Sequence, residues 1–409
     1  MNTPRAGTPP RPAPAPLAGV RILDMATVLA APFGATLCGD WGADVVKLEL
    51  PDGSDPLRGL SPVQDGLPLF WKVSNRGKKG ITLDVRKPAG RALLLKLVTR
   101  FDVLVENFRP GTLDRWGLDA ATLHAANPRL VILRLTGFGQ DGPASARPGF
   151  ARVFEAMSGF TNLCGEDGGS PLHMNYPVGD VIAGVFAGFA IASAITRMRG
   201  DPHAPGFEID LAATEALLRL LDPLPVECER LGTVRGPSGN LANYTAPSSM
   251  YRTRDGVRVT MVGSSNPVFA RLARAIGQPG LASDPRFATM QARVDHYRAL
   301  DDLLCAWFGA HDYDAVAHAL EAGEVPFSRV QSIADVMRDP HFAARGAIAR
   351  IADPDLGSLP APCVVPRIVG QRIDPPRSGP AIGEHNAEVY GALGLDAAAL
   401  AELTSQGVI

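Results

Sequence analysis

The sequence predicts an α/β protein with a Rossmann-like, parallel-sheet large domain and a smaller α+β domain. Short apolar strand signals alternate with helix signals over the first half of the chain, which is typical of parallel βαβ units. From about Asp222 the alternation stops and loop-rich sequence begins. A chain of 409 residues is also long for one core, so two domains are expected.

The large domain holds most of the strand signals, and turn residues bound each of them. In chain order the predicted elements are strand 20–25, helix 32–41, strand 44–48, strand 80–83, helix 88–99, strand 103–105 and strand 130–135. Glycine, asparagine and basic residues gather where these strands end, at 25–31, 48–53, 106–111 and 136–142. Because parallel sheets bind ligands at the carboxyl ends of their strands, we expect the functional site there.

The rest of the chain predicts a small domain and a return to the first one. A loop at 235–247 precedes a strand at 257–262 and helices at 267–276, 297–308 and 313–321. The last stretch predicts a helix at 333–337, extended residues at 363–369 and a helical end at 387–403. We therefore place the large domain at 17–221, the small domain at 222–332 and the C-terminal return at 333–409.

Two segments raise the question of targeting. Residues 1–16 are rich in proline and have no apolar core, which predicts a disordered tail and not a signal peptide. The apolar run 181–195 is shorter than the ~20 residues that a membrane span needs. It is also bounded by Asp180 and Arg197, so it predicts a buried helix.

Composition excludes several classes of function. A net charge of −2 with 46% hydrophobic and 20% charged residues is typical of a globular protein that binds neither nucleic acid nor a membrane surface. The five cysteines form no CxxC pair and the eight histidines no cluster, so neither disulfides nor a metal site is expected. No GxGxxG follows the first strand, which argues against a dinucleotide cofactor. A reducing cytoplasm fits this composition best.

Asp180 is the most informative residue in the chain. It follows Gly179 and is the only charge ahead of the apolar run 181–195. A carboxylate at the mouth of a buried helix is either a helix cap, which accepts unsatisfied backbone N–H groups, or a poised nucleophile. Caps are common and catalytic carboxylates rare, so this segment alone favours the cap.

Several further motifs lie in order along the chain. They are GVRILD at 19–24, LCGDWGADVVKLE at 37–49, NRGKKGI at 75–81, VENFRPG at 105–111, TGFGQDGP at 136–143, RPGF at 147–150, Gly179-Asp180 and IGEHN at 382–386. Each is weak alone, but their order from about Leu17 to the C-terminus resembles that of the class III CoA-transferases, the CaiB/BaiF family. The resemblance implies an interlaced, obligate homodimer in which two chains thread through one another.

The resemblance also implies an acyl-CoA:carboxylate CoA-transferase in which Asp180 is the catalytic residue. Its carboxylate would attack the acyl-CoA thioester to give an acyl-aspartyl anhydride, and the CoA thiolate would return to form an aspartyl-CoA thioester. The helix N-terminus would keep Asp180 ionised, as a nucleophile must be. Coenzyme A is then a substrate and not a permanently bound cofactor, and a free carboxylic acid is the second substrate.

The family's CoA-contacting positions fall on residues whose sequence context also has simpler interpretations. Lys78 and Lys79 are equally typical of a solvated turn, Asn107 of a turn and Phe108 of a core. Charged side chains suit the phosphates of CoA by charge and donor geometry. The positions are Leu29 (a glutamine in formyl-CoA transferases), Lys78, Lys79, Asn107, Phe108 and Arg115.

Two alternatives stay open. One is an acyl-CoA isomerase or racemase on the same scaffold, but the racemases carry a histidine where this chain has Phe150, which cannot take a proton. The other is a non-catalytic CoA-binding protein in which Asp180 is only a cap. His173 and Glu155 are further polar residues that the sequence places near the proposed site without a defined role. The donor and acceptor acids are not identified.

Overall fold

The computed structural model describes residues 15–242, 244–370, 373 and 376–409. Most of the predicted tail at 1–16 lies outside the described residues. The strands of the described chain are β1 Arg21–Asp24, β2 Asp44–Glu49, β3 Val63–Gln64, β4 Leu67–Pro68, β5 Lys79–Thr82, β6 Val103–Glu106, β7 Val131–Thr136, β8 Glu208–Ala212, β9 Ser248–Arg252, β10 Arg258–Val262, β11 Phe327–Arg329, β12 Ile348–Asp353 and β13 Gly357–Pro362.

Helices connect and cover these strands. In chain order they are α1 Ala30–Asp40, α2 Leu69–Ser74, α3 Pro88–Leu97, α4 Thr112–Arg115, α5 Ala120–Ala126, α6 Ala151–Met157, α7 Val178–Gly200, α8 Ala213–Leu218, α9 Pro223–Leu231, α10 Asn266–Ala275, α11 Met290–Asp295, α12 Tyr297–Ala310, α13 Tyr313–Ala322, α14 Ile333–Val336, α15 Pro340–Ala344, α16 Asn386–Gly391 and α17 Ala397–Ser405.

A six-stranded parallel sheet confirms the predicted α/β class. Its strand order is β5-β2-β1-β6-β7-β8, and every neighbouring pair is parallel. β8 is absent from the sequence prediction, because this edge strand alternates exposed and partly buried residues and carries Glu208 and Asp210. A search for continuous apolar runs finds central strands and misses such an edge.

Helices cover both faces of this sheet. On one face α1, α7 and α8 bury a core with residues such as Ile22, Val131 and Leu217. On the other face α3, α5 and the C-terminal α16 bury a second core with Leu23, Leu104 and Tyr390 among its members. Burial on both faces explains why the central strands are mostly apolar, with their few charged residues, such as Asp24, Lys47 and Glu106, also buried.

The predicted buried helix at 181–195 is the middle of the longer α7. By length and composition this helix would suffice to cross a membrane. Its inner side is buried against α1, where glycines allow close contact, and its outer side exposes Val185 and Phe189. A Cβ atom at Gly184 would lie 2.6 Å from the carbonyl oxygen of Ala30, and one at Gly34 would lie 2.7 Å from Cβ of Ala187.

The described chain divides into two compact units. One holds the chain up to Phe160, Met174–Pro225 and Arg345–Ile409, and the other holds Thr161–His173 and Val226–Ala344. The second unit has its own antiparallel sheet, β11-β10-β9, over an aromatic core. The domain limits drawn from sequence stay a prediction. The second unit differs from the predicted small domain, 222–332, because it includes 161–173 and runs from Val226 to Ala344.

The C-terminal segment corrects two local predictions. The helical end predicted at 387–403 is two helices, α16 and α17, because the chain turns between them and Gly394 adopts a φ of +88°. Residues 363–369, predicted as extended, form no strand. The hairpin β12–β13 precedes them instead.

Candidate active site at the carboxyl edge of the sheet

A cavity of about 210 Å³ lies where β1, β6 and β7 end. The loop after β1, the loop after β6, the segment between β7 and α6, and the first turn of α7 supply its walls. Its lining includes Val28, Leu29, Asn107, Phe108, Arg109, Arg147, Phe150 and Asp180. The carboxyl edge of the sheet is therefore where sequence reasoning expected a site.

The loop after β1 is held in an unfavourable backbone conformation. Val28 has a φ of +64°, in the left-handed region that β-branched residues avoid. Asn107 Oδ1 accepts the Thr27 N–H at 2.8 Å, its Nδ2 donates to the Thr27 carbonyl at 2.8 Å, and Asp55 Oδ1 accepts the Val28 N–H at 3.1 Å. Such strain persists only where the surroundings enforce it, and it clusters at functional sites. Asn107 thus fixes the cavity wall that Leu29 continues.

Asp180 lies in the first turn of α7 and lines the cavity. The helix begins at Val178, and its N-cap residue, Pro177, makes no side-chain capping hydrogen bond. The cap interpretation of Asp180 is therefore wrong, because the N-cap position belongs to Pro177, three residues earlier in the chain.

The pKa of Asp180 also differs from expectation. Burial of this 9% exposed residue raises its pKa to about 6, and the negative charge of Glu155 adds to the rise. Desolvation of the carboxylate therefore outweighs any stabilisation of its charge by the helix N-terminus. Above about pH 6 the carboxylate is still ionised.

A second cavity of about 140 Å³ adjoins the first, since Thr27 and Phe108 line both. Its walls are mostly apolar, with Met25, Leu48, Leu83, Val85 and Trp116 among them. The rings of Phe108 and Trp116 meet edge to face at 5.1 Å. Arg86 stands at its margin, half-exposed and paired with Asp84 at 2.7 Å. Sequence reasoning missed Arg86, although it follows the end of β5.

The predicted site residues fall into two groups. Asp180, Leu29, Asn107 and Phe108 come together around the cavity. Arg115 is exposed at the end of α4, and its Nη2 donates to Thr112 Oγ1 at 2.9 Å. The other two predicted residues, both lysines, line neither of the two cavities described above.

Lys78 is a buried structural residue. Its ammonium donates to Asp24 Oδ2 at 2.7 Å, to the Pro32 carbonyl at 2.7 Å and to Asn75 Oδ1 at 2.8 Å. Burial lowers its pKa to about 8. Lys79 begins β5, at the amino edge of the sheet, and pairs with Asp44 at 3.3 Å and Glu388 at 3.0 Å. This geometry does not present either lysine to a ligand at the carboxyl edge.

Lys78→Met is expected to destabilise the protein by about 3–5 kcal/mol, since it leaves the buried Asp24 carboxylate without its cation. Lys79→Met is the matched control and is expected to cost at most about 1 kcal/mol, because its ion pairs are exposed. Denaturant unfolding of the two variants measures this difference. A Lys78→Met protein of unchanged stability but weakened CoA-ester binding would instead restore Lys78 as a ligand.

The structure also shows where Phe150, His173 and Glu155 lie, the residues that bear on the alternative functions. Phe150 is 70% exposed, lines the first cavity and precedes α6. His173 is exposed and belongs to the second unit. Glu155 is buried on α6, and its Oε1 accepts the Gly179 N–H at 2.9 Å. Within the described residues no group of three or more histidine, cysteine or acidic side chains is arranged to hold a metal ion.

Fold and site together define an α/β enzyme with a buried carboxylate at the carboxyl edge of a parallel sheet. The chain belongs to CoA-transferase family III, whose sequence profile matches residues 17–386. This confirms the resemblance drawn from the motifs. The protein is a CoA-transferase, and its reaction moves CoA between an acyl-CoA and a carboxylate.

Individual relatives agree with this assignment. The chain is 39% identical over 398 residues to the succinyl-CoA–D-citramalate CoA-transferase of Chloroflexus aurantiacus, covering 97% of this chain and 98% of that protein. It is 36% identical over 377 residues to the alpha subunit of the succinyl-CoA–L-malate CoA-transferase of the same organism, covering 91% and 88%. The crystal structure of a CaiB/BaiF family protein from Brucella suis matches with a TM-score of 0.80 at 31% identity, covering 93% of this chain and 100% of that one.

Proposed function

We propose that the protein transfers CoA from an acyl-CoA to a free carboxylic acid through covalent intermediates on Asp180. The observation that carries this proposal is a buried carboxylate that lines a cavity and makes no capping hydrogen bond. A desolvated, more basic carboxylate is a better nucleophile than one in water. Since Asp180 does not cap α7, the start of the helix does not explain why a carboxylate is buried here, whereas a catalytic role does.

The proposed reaction has two half-reactions, one with the donor and one with the acceptor, and each consists of two nucleophilic attacks. Asp180 attacks the thioester carbonyl carbon of the donor, the C–S bond breaks, and an acyl-aspartyl anhydride and CoA thiolate form. The thiolate attacks Cγ of Asp180, which releases the donor acid as its carboxylate and leaves an aspartyl-CoA thioester. The acceptor carboxylate then repeats these steps in reverse and departs as the new acyl-CoA. Both intermediates are energetic enough to pass the group onward.

No proton moves in this sequence, because each step exchanges one carboxylate or thiolate for another at an acyl carbon. The site therefore needs no general base beside Asp180. The presence of Phe150 at the cavity wall supports transfer over racemisation, which requires a proton carrier on each face of the acyl group. Racemisation of an acyl-CoA is the competing activity against which this proposal is tested.

The two adjoining cavities suggest how an acyl-CoA lies on the protein. We place the thioester in the first cavity and the adenosine end in the second, where apolar walls and the Phe108–Trp116 pair suit a base. Phe108, which lines both cavities, then lies between them, and Leu29 and Asn107 line the thioester side. Arg86 and Arg115 are the cations that we propose for the phosphates, in place of Lys78 and Lys79.

Arg86→Ala and Arg115→Ala are each expected to weaken CoA-ester binding by about 10- to 150-fold, from about 1.5–3 kcal/mol per charge-assisted contact. The value of kcat should change little, because these groups hold the distant nucleotide equally in ground and transition states. Lys79→Ala is the control of equal charge change and should leave KM unaltered. Unchanged KM in both arginine variants would remove them from the CoA site.

The relatives named above suggest the substrate class. Both are named for succinyl-CoA as donor and for a hydroxylated dicarboxylic acid as acceptor. We propose the same class here, a succinyl-CoA donor and a dicarboxylate acceptor. Arg109 and Arg147 line the cavity and supply positive charge for a second carboxylate.

The test is a screen of purified protein for CoA exchange, with succinyl-CoA and acetyl-CoA as donors and mono- and dicarboxylic acids as acceptors. We expect new acyl-CoA only with dicarboxylic acceptors. Exchange with monocarboxylates alone would overturn the substrate class, and no exchange would overturn the transferase. In deuterated water a 2-methylacyl-CoA should not gain deuterium; rapid deuteration without an acceptor would establish the racemase.

The interlaced homodimer also stays a proposal. Exposed apolar side chains on α7 and α8, such as Val185, Phe189 and Leu218, support burial against a second chain. Sedimentation equilibrium should show a dimer at micromolar concentration, and a monomer there would contradict it.

A further inference from the structure

Glu155 is a buried carboxylate at the base of α7. It is 2% exposed, which is rare for a glutamate. Its Oε1 accepts the Gly179 N–H at 2.9 Å, and a Cβ atom at Gly179 would lie only 3.2 Å from Glu155 Cγ. The side chain of Glu155 is therefore packed directly against the backbone of the residue that precedes Asp180.

This contact replaces a missing cap. The first N–H groups of a helix lack partners within the helix, and at α7 the N-cap is Pro177, which provides no side-chain acceptor. Glu155 supplies an acceptor to one of these groups from α6. Since Gly179 and Asp180 are adjacent, the hydrogen bond to Glu155 fixes the turn from which the Asp180 side chain leaves.

The charge of Glu155 also acts on Asp180. Among the causes of the raised pKa of Asp180, burial is the largest and the charge of Glu155 is the other. The elements packed against α7, and the cavity that Asp180 lines, carry further charged residues. They are Arg152 on α6, Glu215 on α8, Asp40 at the far end of α1, Arg134 on β7, Glu208 and Asp210 on β8, Arg197 and Arg199 at the far end of α7, and Arg109 and Arg147 at the cavity. None of these contributes to that rise.

We propose that Glu155 is a positioning residue for the nucleophile: its carboxylate holds the first turn of α7, and its negative charge makes Asp180 more reactive. The inference rests on the proposed role of Asp180. Repulsion between the two carboxylates is present in the ground state. It is released when attack on the thioester turns Asp180 into a neutral anhydride and moves the negative charge to the leaving thiolate. An interaction that is relieved in this way lowers the barrier.

Two substitutions separate the hydrogen bond from the charge. Glu155→Gln keeps an oxygen acceptor for the Gly179 N–H and removes the charge. Glu155→Ala removes both. Glu155→Ala is expected to lower kcat on the order of 100-fold, with KM for the CoA ester little changed, because a nucleophile displaced by about 1 Å loses that much. Glu155→Gln should retain most of the positioning and show a smaller fall.

The pH profile reports the charge. In the wild-type protein kcat/KM should fall as the pH drops through about 6, where Asp180 takes up a proton. Without the repulsion from Glu155 the pKa of Asp180 moves down, so the acid limb of Glu155→Gln should lie at lower pH. A purely structural glutamate would leave this limb in place.

A ¹³C NMR titration of the Asp180 carboxyl, assigned by its loss in Asp180→Asn, gives the same pKa without any turnover. A lower pKa in Glu155→Gln than in the wild type is the expected result, and equal values would overturn the role of the charge. Wild-type kcat in Glu155→Ala would overturn the positioning. If the wild-type protein transfers no CoA, the proposed function fails, and the titration still decides whether Glu155 acts on Asp180.

Discussion

Asp180→Asn is expected to abolish CoA transfer while the protein stays folded. The amide has the shape of the carboxylate but cannot form the anhydride, so turnover should fall by at least about 10⁴-fold, as when other covalent nucleophiles are removed. Because Pro177 is the N-cap of α7, the substitution removes no capping hydrogen bond. Turnover with each donor and acceptor pair measures the loss, and near wild-type activity would contradict the covalent mechanism.

The same variant makes a prediction about stability. The pKa of Asp180 is raised from 3.8 to about 6 in the folded protein, so the folded state binds this proton more tightly than the unfolded state. The resulting stabilisation is complete below pH 3.8 and is lost as the pH rises through about 6. At pH 7.5 the ionised carboxylate costs about 3 kcal/mol. Asp180→Asn should therefore be more stable than the wild type at pH 7.5, with a difference that disappears below about pH 4. Lower stability at pH 7.5 would show that the charge is better solvated than its burial implies.

Gly184→Ala is expected to lower both the stability and the turnover of the protein. Its new methyl would lie 2.6 Å from the Ala30 carbonyl oxygen and 2.9 Å from Phe33 Cδ1, so α1 and α7 must separate. Such overpacking costs about 1–3 kcal/mol. Ala30 lines the cavity beside Leu29, and Gly184 lies one turn after Asp180. The separation therefore also moves the nucleophile from the facing wall, which should lower kcat by about 10- to 100-fold.

Gly188→Ala is the matched control on the same helix face. Its methyl would meet the Gly34 carbonyl oxygen and Leu37 Cβ at 3.6 Å, which is ordinary contact. Since alanine favours a helix over glycine, this variant should be more stable by about 0.5–1 kcal/mol and fully active. Equal stability in thermal unfolding and equal turnover of the two variants would show that the α1–α7 contact does not determine the position of Asp180 in the cavity.

Sequence patterns predict those parts of this fold that depend on local apolar runs. β1, β2, β6 and β7 are found because both faces of the sheet are covered, so each strand contains a short run of apolar residues. The prediction misses β8 because one side of this edge strand carries charged residues. The sequence prediction misses the break between α16 and α17 for a different reason. The segments on both sides of Gly394 favour a helix, so they are predicted as one helix.

The candidate site is predictable only in part. Asp180 can be found from sequence because a single charge precedes an apolar run, but its environment depends on Glu155, which lies 24 residues before the neighbouring Gly179. The environment of Lys78 likewise depends on a distant part of the chain. Its sequence is that of a charged turn, and its burial arises from Asp24, 54 residues away. Tertiary contacts of this kind leave no local pattern, so the sequence cannot separate a ligand-binding lysine from a buried one.

The central claim, that Asp180 carries the acyl group and then CoA, has one direct measurement. The protein is incubated with the donor CoA ester that the exchange screen identifies, without an acceptor, and is then treated with hydroxylamine or borohydride. Peptide mass mapping should show a hydroxamate or a reduced side chain at Asp180, and none at this position in Asp180→Asn. A protein that transfers CoA but shows no modification of Asp180 would contradict the covalent account.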